Sequence, residues 1–270
     1  MLELGNDSRE NRRPWTERNE ARLVEVGGWG IDLSAHLPPA VHFETLKLGF
    51  SEAQVLDNVL PAEWCAALIT SHEKVGFTPR DEVERLARAE KVRTGRGITL
   101  STDKAPEVRA NTSEALTLNN TELASTLFER VRAHVPPLMK AGHTADGVPL
   151  QYSVAGVAPE LRFMRYSPGQ FFKPHLDPTR LASEHPVTGK PGCFQSFVTL
   201  AVYLNAPSEF GGGALTFIED LKTRSSRGSV LPAVGRCAIF HHKELHEGGE
   251  VFSGTKHMVQ CDLLYERVED

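Results

Sequence analysis

The sequence predicts a mainly β fold with flanking helices. After Leu161, short apolar segments are separated by connections that contain Gly and Pro, a pattern typical of a sandwich or barrel of strands. Before Leu161, two segments carry apolar residues at the spacing of one helix face. The chain has 270 residues, which is long enough to bury a large core without disulfides or a structural metal.

Two helices are predicted in the first half of the chain. The first covers residues 61–73, after the apolar segment GFSEAQVLDNVL, and Pro61 suits its first turn. The second covers residues 121–135, where apolar residues recur every four positions, with Thr121 as the cap and Pro136 as the stop. Between the helices, GRGITLSTDKAPEVR is predicted as a loop with one short strand.

Five strands are predicted in the second half, each a short apolar run bounded by turn residues. They cover residues 161–166, 196–205, 214–219, 234–242 and 256–267. The connection 178–195 is polar and contains Pro and Gly, so it is either a lid over a substrate or a surface excursion. The chain is thus divided into an N-terminal arm at 1–45, which we expect to be loose, a supporting region at 46–150 and a core at 151–270.

Composition and charge restrict the location and the partners. Thirty Lys and Arg stand against 35 Asp and Glu, which leaves no excess of positive charge and predicts neither a nucleic-acid nor a membrane partner. The N-terminal MLELGNDSRENRRPW has no apolar stretch resembling a signal peptide, so a cytoplasmic location is expected. The four cysteines are too far apart for a CxxC motif and are expected to be reduced.

Three residues indicate a metal site. His175 and Asp177 are two positions apart, so on an extended segment both side chains project from the same face. His246 lies farther along, upstream of Lys256 in HEGGEVFSGTKHM. Two imidazoles and one carboxylate form the facial triad of non-haem Fe(II) oxygenases, which leaves coordination positions open. A buried lysine nearby would bind an anionic cosubstrate.

The motifs around these residues resemble those of the prolyl 4-hydroxylase branch of the 2-oxoglutarate/Fe(II)-dependent dioxygenases. RYSPGQFFKPHLD is similar to the family's RYxxGQxFxxHxD, YLN followed by GGGALTF is similar to YLN…GGxTxF, and HEGGEVFSGTK is similar to HxGxxVxxGxK. The resemblance runs from about Gln54 to Glu266. It implies a double-stranded β-helix, or jelly-roll, as the core.

The resemblance also implies the site residues. His175, Asp177 and His246 would hold Fe(II) and form the catalytic centre. Lys256 would pair with the distal carboxylate of 2-oxoglutarate, assisted by Tyr166, because a carboxylate in a dry pocket needs an opposite charge and hydrogen-bond donors. Leu215 stands where the family often has Thr, so it would touch the cosubstrate only through apolar contact. O2 is the other cosubstrate implied, and ascorbate is expected to stimulate the reaction.

Substrate contacts are predicted from weaker signals. Arg109 and Asn111 lie in EVRANTSEALTL, which resembles a segment bordering the substrate opening in relatives, although an exposed Arg can equally be a solvated charge. Strand alternation places Gln260 on the face of Lys256, where it would line either the pocket or the core. The adjacent His241 and His242 are expected to be structural rather than ligands, and His257 is expected to face outward.

The resemblance implies hydroxylation of an unactivated C–H bond, with succinate and CO2 as coproducts. Desaturation or ring formation would use the same residues, and the carboxylate at Asp177 argues against halogenation. We expect a small-molecule metabolite as substrate, held in a closed pocket under a lid such as 178–195. The alternative is a peptidyl-prolyl or other protein hydroxylase, which needs an open groove. A third hypothesis is a non-catalytic, metal-binding jelly-roll module.

Overall fold

The computed structural model describes residues 31, 37, 39–79, 111–143 and 146–268. Most of the predicted N-terminal arm, the segment GRGITLSTDKAPEVR and Arg109 lie outside the described residues. Strands account for most of the described chain, so the predicted mainly β fold with flanking helices is confirmed. Neither α-helix of the described part is long and apolar enough to cross a membrane.

Two α-helices are present where the sequence predicts them. Helix α1 covers Ala62–Val75, and Gly76 follows it with a positive φ of 89°. Helix α2 covers Thr121–Val131 and continues into a short 3-10 turn at Arg132–His134. The predicted cap of α2 was wrong by one residue, because the side chain of Asn120 rather than that of Thr121 accepts a hydrogen bond from the Leu123 amide, at 2.7 Å.

The strands of the described residues run in chain order as follows: β1 (Val41–Lys47), β2 (Glu52–Asp57), β3 (Thr78–Pro79), β4 (Glu114–Asn119), β5 (Leu138–His143), β6 (Pro149–Val157), β7 (Glu160–Tyr166), β8 (Phe172–His175), β9 (Leu181–Glu184), β10 (Pro191–Tyr203), β11 (Phe210–Gly212), β12 (Leu215–Asp220), β13 (Ser225–Val230), β14 (Cys237–His241), β15 (His246–Gly248), β16 (Val251–Gly254) and β17 (Lys256–Arg267). All five predicted strands are found, β17 with its predicted ends and the other four with ends that differ by up to five residues.

The described strands form a large sheet and a small sheet. The large sheet has the order β1-β2-β14-β10-β17-β7-β4-β3, with β5 and β6 joined beside β17 and β9 paired to β10. The small sheet has the order β13-β12-β15-β8, and β11 and β16 form a separate pair. All of the pairings are antiparallel. The large sheet begins at Val41, before the predicted boundary at residue 45, and contains strands from both the predicted supporting region and the predicted core.

Side chains alternate along β17 between two apolar layers. Val259 and Cys261 belong to the cluster that includes Leu68 of α1 and Leu127 of α2, so this face of the large sheet is covered by the helices. Met258 belongs to a second cluster with Phe217 of the small sheet. The second cluster therefore lies between the two sheets, as expected of a jelly-roll.

The connection 178–195 is a hairpin of the large sheet. Strand β9 pairs with the first residues of β10, and Phe194 packs with Ala158 and Leu264. Arg180 donates its backbone N–H to the Ser196 hydroxyl at 2.9 Å. These contacts join the segment to the large sheet. Of the two alternatives predicted for 178–195, they favour a surface connection over a separate lid.

Candidate active site

The three predicted iron ligands lie together between β8 and β15. These two strands pair with His246 opposite His175, and Asp177 lies two residues after the end of β8. One potential ligand atom from each of the three side chains lies within 4.8 Å of the others. Nε2 of His175 is 3.6 Å from Oδ1 of Asp177, and Nε2 of His246 is 3.8 Å from Oδ2. Strand pairing therefore assembles a set of donors that are far apart in the sequence.

Both imidazoles are oriented by backbone carbonyls. Nδ1 of His175 lies 2.8 Å from the Lys173 oxygen, and Nδ1 of His246 lies 2.8 Å from the Glu244 oxygen. A carbonyl only accepts, so each Nδ1 carries a hydrogen, and each Nε2 is the ring nitrogen that faces the Asp177 carboxylate. A hydrogen bond of this kind is the usual way in which a protein fixes a metal-binding histidine.

The Asp177 carboxylate is ionised and held in place. Burial opposes its ionisation, but the neighbouring His175 and His246 rings and the Thr199 hydroxyl outweigh that effect and hold the pKa of Asp177 well below its usual range. Thr199 donates its hydroxyl to Oδ2 at 2.5 Å, and Nε2 of Gln260 donates to the same oxygen at 3.3 Å. Oδ1 accepts neither of these two bonds and remains as a donor atom for a cation.

The three residues fit a divalent metal ion. Burial lowers the pKa of His246 to about 4, so its imidazole is neutral at neutral pH and can coordinate. Nε2 of His175 is buried and has no hydrogen-bond partner among the described residues. A buried nitrogen without a partner is costly unless something binds it. A cation between the imidazoles and the carboxylate would satisfy this atom and balance the carboxylate charge.

The predicted cosubstrate residues lie at the neighbouring ends of two paired strands. Lys256, at the start of β17, pairs with Tyr166, at the end of β7. The Lys256 ammonium is buried, donates to the Gly213 carbonyl at 2.6 Å and lies 5.1 Å from the centre of the Tyr166 ring. Gly213 has a positive φ, and a Cβ there would come within 2.9 Å of the Lys256 side chain, so glycine is needed for this close approach.

Burial lowers the pKa of Lys256 to about 7. A lysine with this pKa has lost much of its hydration without gaining a negative partner. A carboxylate next to the ammonium would supply that partner. The environment of Lys256 therefore suits the binding of an anionic group.

Tyr203 also lies at the candidate cosubstrate site, although it was not predicted from the sequence. Its ring centre lies 5.3 Å from the Lys256 ammonium. Its hydroxyl is buried and has no hydrogen-bond partner among the described residues. The signal that could have identified it was its place in the YLN motif. Leu215, the third predicted cosubstrate residue, is buried in the same apolar cluster as the two tyrosines.

The three predicted substrate residues have different outcomes. Arg109 lies outside the described residues. Asn111 is buried, and its side-chain oxygen accepts a hydrogen bond from the Ser113 amide at 3.0 Å. Its backbone forms a β-bridge with Phe172 of β8, and the Phe172 ring stacks on that of His175 with ring centres 3.5 Å apart. Asn111 therefore contacts the strand that carries His175. Gln260 contacts Asp177 directly.

The other histidines near the site do not join the ligand group. Nδ1 of His241 accepts a hydrogen bond from the Lys243 amide at 3.0 Å, and Nε2 of His242 is 3.6 Å from Asp262. The expectation that His257 faces outward was wrong. His257 does point away from Lys256, but helix α1 covers that face of β17, and its Nε2 lies 3.2 Å from the Glu73 carboxylate.

A buried ion-pair network lies along β17 beyond Gln260. Two nitrogens of Arg162 donate to the two oxygens of Asp262 at 2.8 and 3.1 Å, and Nε of Arg180 donates to Asp262 at 2.8 Å. The Asp177 amide donates to the carbonyl of His242, whose ring approaches Asp262. His242 therefore links the network to Asp177, because its carbonyl accepts from the Asp177 amide and its ring lies beside Asp262.

Comparison with known proteins agrees with this geometry. Residues 161–261 match the sequence model of a family described as the 2OG-Fe(II) oxygenase superfamily. This range contains all three candidate ligands together with Tyr166 and Lys256. No curated protein matches the chain.

Solved structures with similar folds include enzymes named as prolyl hydroxylases. One is a viral collagen prolyl hydroxylase from Paramecium Bursaria Chlorella virus-1, which is 19% identical, with a TM-score of 0.45 over 79% of this chain and 96% of that one. A Pseudomonas putida prolyl-4-hydroxylase is 15% identical, with a TM-score of 0.39 over 80% and 93%. A Trichoplax adhaerens prolyl hydroxylase, solved with a hypoxia inducible factor peptide, is 13% identical, with a TM-score of 0.40 over 78% and 82%.

Proposed function

We propose that this chain, which belongs to the 2OG-Fe(II) oxygenase superfamily through residues 161–261, hydroxylates an unactivated C–H bond of a peptide or protein. The observation that carries the proposal is the convergence of three ligand atoms within 4.8 Å, in a chain that also buries a lysine without a carboxylate partner among the described residues. The overall reaction converts the substrate R–H, 2-oxoglutarate and O2 into R–OH, succinate and CO2.

In this proposal His175, Asp177 and His246 hold Fe(II). Together with 2-oxoglutarate, the bound iron supplies the O2-dependent oxidising chemistry that breaks a C–H bond. The protein contributes orientation. The carbonyls of Lys173 and Glu244 fix the two imidazoles, while Thr199 and Gln260 hold Oδ2 of Asp177 and leave Oδ1 for the metal.

Lys256 and the two tyrosines bind the far carboxylate of 2-oxoglutarate. The ammonium supplies the opposite charge, and the hydroxyls of Tyr166 and Tyr203 supply further donors. The surrounding apolar side chains, among them Phe217, Phe240 and Met258, keep water away from this end of the cosubstrate. Exclusion of water strengthens the ion pair and prevents the carboxylate from exchanging partners with solvent.

Two observations support a peptide rather than a free metabolite. The motifs RYSPGQFFKPHLD and HEGGEVFSGTK resemble those of the prolyl 4-hydroxylase branch. The segment 178–195, which a closed metabolite pocket would need as a lid, is joined to the large sheet through β9. Prolyl residues are the first substrates to test, because these motifs resemble those of the prolyl 4-hydroxylase branch. A cytoplasmic location remains a prediction from the sequence.

The site is tested by anaerobic titration of the metal-free protein with Fe(II) and 2-oxoglutarate. Chelation of iron by the cosubstrate is expected to produce a weak charge-transfer absorption in the visible range. His175→Ala is expected to abolish the band by removing a ligand, and Lys256→Ala to shift its appearance to higher 2-oxoglutarate concentrations. Absence of the band with iron bound would leave a metal-binding jelly-roll without oxygenase activity.

The substrate class is tested by mass spectrometry and succinate release. Proline-containing peptides, free proline and a panel of small metabolites are compared at equal concentration under air. A peptide that gains one oxygen atom in step with succinate formation supports the proposal. Turnover of a free metabolite with no peptide oxidation would instead support the small-molecule reading.

A further inference from the structure

The two candidate iron histidines are oriented by matching hydrogen bonds, but the residues that supply the accepting carbonyls differ in burial. Each Nδ1 donates to the carbonyl of the residue two positions earlier, which is Lys173 for His175 and Glu244 for His246, at 2.8 Å in both cases. Lys173 has an exposed side chain, whereas Glu244 is only 5% exposed. The buried glutamate is therefore the more constrained of the two residues.

The Glu244 carboxylate binds the turn between β1 and β2. Its Oε1 accepts hydrogen bonds from the amide of Phe50 at 2.9 Å, from the amide of Ser51 at 2.5 Å and from the Ser51 hydroxyl at 3.0 Å. Three donors on one carboxylate oxygen compensate the burial of its charge. Removing the carboxylate would leave two backbone amides without this partner.

Further contacts join the same two segments. The Phe50 ring lies 4.6 Å from the His241 ring and 5.0 Å from the Lys243 ammonium. The residues around Glu244 are themselves tied down, since the Glu244 amide donates to the His241 carbonyl at 3.0 Å and the Leu245 carbonyl accepts from Ile218 at 2.8 Å. The β1–β2 turn, which precedes the matched range 161–261, thus supports the loop that carries His246.

We propose that Glu244 is a positioning residue that couples the β1–β2 turn to the candidate iron site. Its side chain fixes the loop against Phe50 and Ser51, and its carbonyl fixes the imidazole of His246. The proposal rests on the proposed function in that His246 is a metal ligand. Coupling is reciprocal, so a metal ion bound at His246 stabilises the contact between Glu244 and the turn.

The first test compares Co(II) affinities of the metal-free wild type and variants, followed by the visible spectrum of the bound ion. Glu244→Ala keeps the carbonyl that accepts from His246 but removes the side-chain contacts that fix the loop, and it is expected to weaken Co(II) binding by up to roughly tenfold, the lower end of the effect of disturbing an outer partner of a ligand. Glu244→Gln keeps an acceptor oxygen and is expected to restore most of the affinity. Glu247→Ala is the matched control, since Glu247 is the next residue after His246 and pairs instead with Arg224; its affinity should match that of the wild type.

The second test measures hydrogen exchange at the amides of Phe50 and Ser51. Co(II) is expected to slow their exchange in the wild type and in Glu247→Ala, but not in Glu244→Ala. A glutamate with only a general structural role would change these rates equally with and without the metal. If Glu244→Ala does not fold, Ser51→Ala removes one donor from the same carboxylate and is expected to reduce both effects partly.

The outcomes separate this inference from the proposed function. If His246→Ala binds Co(II) as tightly as the wild type, His246 is not a ligand and the proposed function fails. If His246→Ala loses affinity while Glu244→Ala retains it and still shows metal-dependent slowing at Phe50 and Ser51, only the positioning role of Glu244 is overturned.

Discussion

Lys256 has an environment that links cosubstrate binding to pH. Burial lowers the pKa of Lys256 to about 7 in the absence of a carboxylate partner, and a bound carboxylate would raise that pKa because it favours the ammonium form. The affinity for 2-oxoglutarate is therefore expected to be constant below pH 7 and to fall up to tenfold per pH unit above it. Calorimetry with Mn(II) and 2-oxoglutarate between about pH 6 and pH 9 measures this dependence.

The control for this prediction is Lys256→Arg. A guanidinium stays protonated throughout the range, so this variant is expected to bind more weakly overall but without the loss above pH 7. The pKa of His246, at about 4, lies too low to contribute. An equal fall in affinity for the wild type and the arginine variant would mean that another group is responsible.

The Tyr203 hydroxyl is expected to lower the stability of the free protein and to raise its affinity for 2-oxoglutarate. Tyr203→Phe removes a buried hydroxyl that has no partner among the described residues, so the free energy of unfolding of the metal-free protein should stay equal or rise by up to about 1 kcal/mol. The dissociation constant for 2-oxoglutarate should rise roughly ten- to hundredfold if the hydroxyl donates to the carboxylate. Urea denaturation and cosubstrate titration measure the two effects.

Tyr265→Phe is the matched control for that substitution. The Tyr265 hydroxyl donates to the Pro136 carbonyl at 3.0 Å, away from Lys256 in the fold. Its removal should reduce stability by about 1 kcal/mol and leave 2-oxoglutarate binding unchanged. A loss of cosubstrate affinity of the same size in both variants would indicate a general packing effect.

The sequence identified residues whose role depends on short spacing and missed those whose role depends on pairing. His175 and Asp177 are two positions apart in the sequence, and the motif around Lys256 is local. Thr199 contacts Asp177 only because β10 lies in the large sheet opposite that carboxylate. A single threonine within the apolar run FVTLAVYLN carries no signal of such a partner.

At the level of elements, the network around Asp262 is the most demanding electrostatic feature. Asp262 is 2% exposed and Arg162 6% exposed. Burial alone would raise the pKa of Asp262, but the charge of Arg162, the nearby His242 ring and the two hydrogen bonds that Arg162 donates hold it below its usual range. The ionised Asp262 carboxylate therefore contributes its full stabilisation of the fold above the unfolded-state pKa of about 3.9. This contribution is lost only as the pH falls toward the lower folded-state pKa.

Asp262→Asn is expected to destabilise the protein by about 3–5 kcal/mol at neutral pH, because Arg162 would remain buried without its countercharge. Urea denaturation at constant salt gives the free energy of unfolding. Glu129→Gln is the control, since Glu129 and Arg132 form an exposed pair at 3.7 Å whose loss should cost less than about 1 kcal/mol. Equal losses in the two variants would show that the buried network contributes no more than a surface pair.

Strand prediction succeeded where burial is strong on one or both faces. The run KHMVQCDLLYER was predicted with its observed ends, because β17 is the buried centre of the large sheet. Strand β1 was missed because nearly all of its residues are exposed and give no alternating pattern. Strand β8 contains Pro174 and has only four residues, so it depends on pairing with β15 rather than on its own preference for an extended conformation.

At the scale of the whole molecule, the large sheet joins two parts of the sequence. Strands β1, β2 and β4 precede the matched range 161–261, yet β2 pairs with β14 and β4 pairs with β7. Motif resemblance predicted the jelly-roll and the candidate site. The pairing of the earlier strands with it could not be predicted, because it depends on contacts between residues far apart in the sequence, such as Leu56 with Cys237 and Glu114 with Arg165.

Metal and cosubstrate are expected to stabilise the whole fold. A ligand at about one hundred times its dissociation constant adds about 2.7 kcal/mol to the free energy of unfolding, which for a chain of this size raises the melting temperature by roughly 5–10 °C. Mn(II) with 2-oxoglutarate should produce this shift in the wild type, and a chelator should reverse it. His246→Ala should show no comparable shift, and a full shift in that variant would place the stabilising site elsewhere.

The pairing of His246 with His175 also makes the small sheet sensitive to its alignment. Strand β15 has only three residues and lies between β12 and β8. A slip of one residue would turn its side chains to the opposite face and carry His246 away from Asp177. A metal ion that needs all three ligands binds only when the strands have the native register. Its binding energy therefore stabilises that register and not a shifted one. The catalytic metal would thus also select the register of the shortest strand in the small sheet.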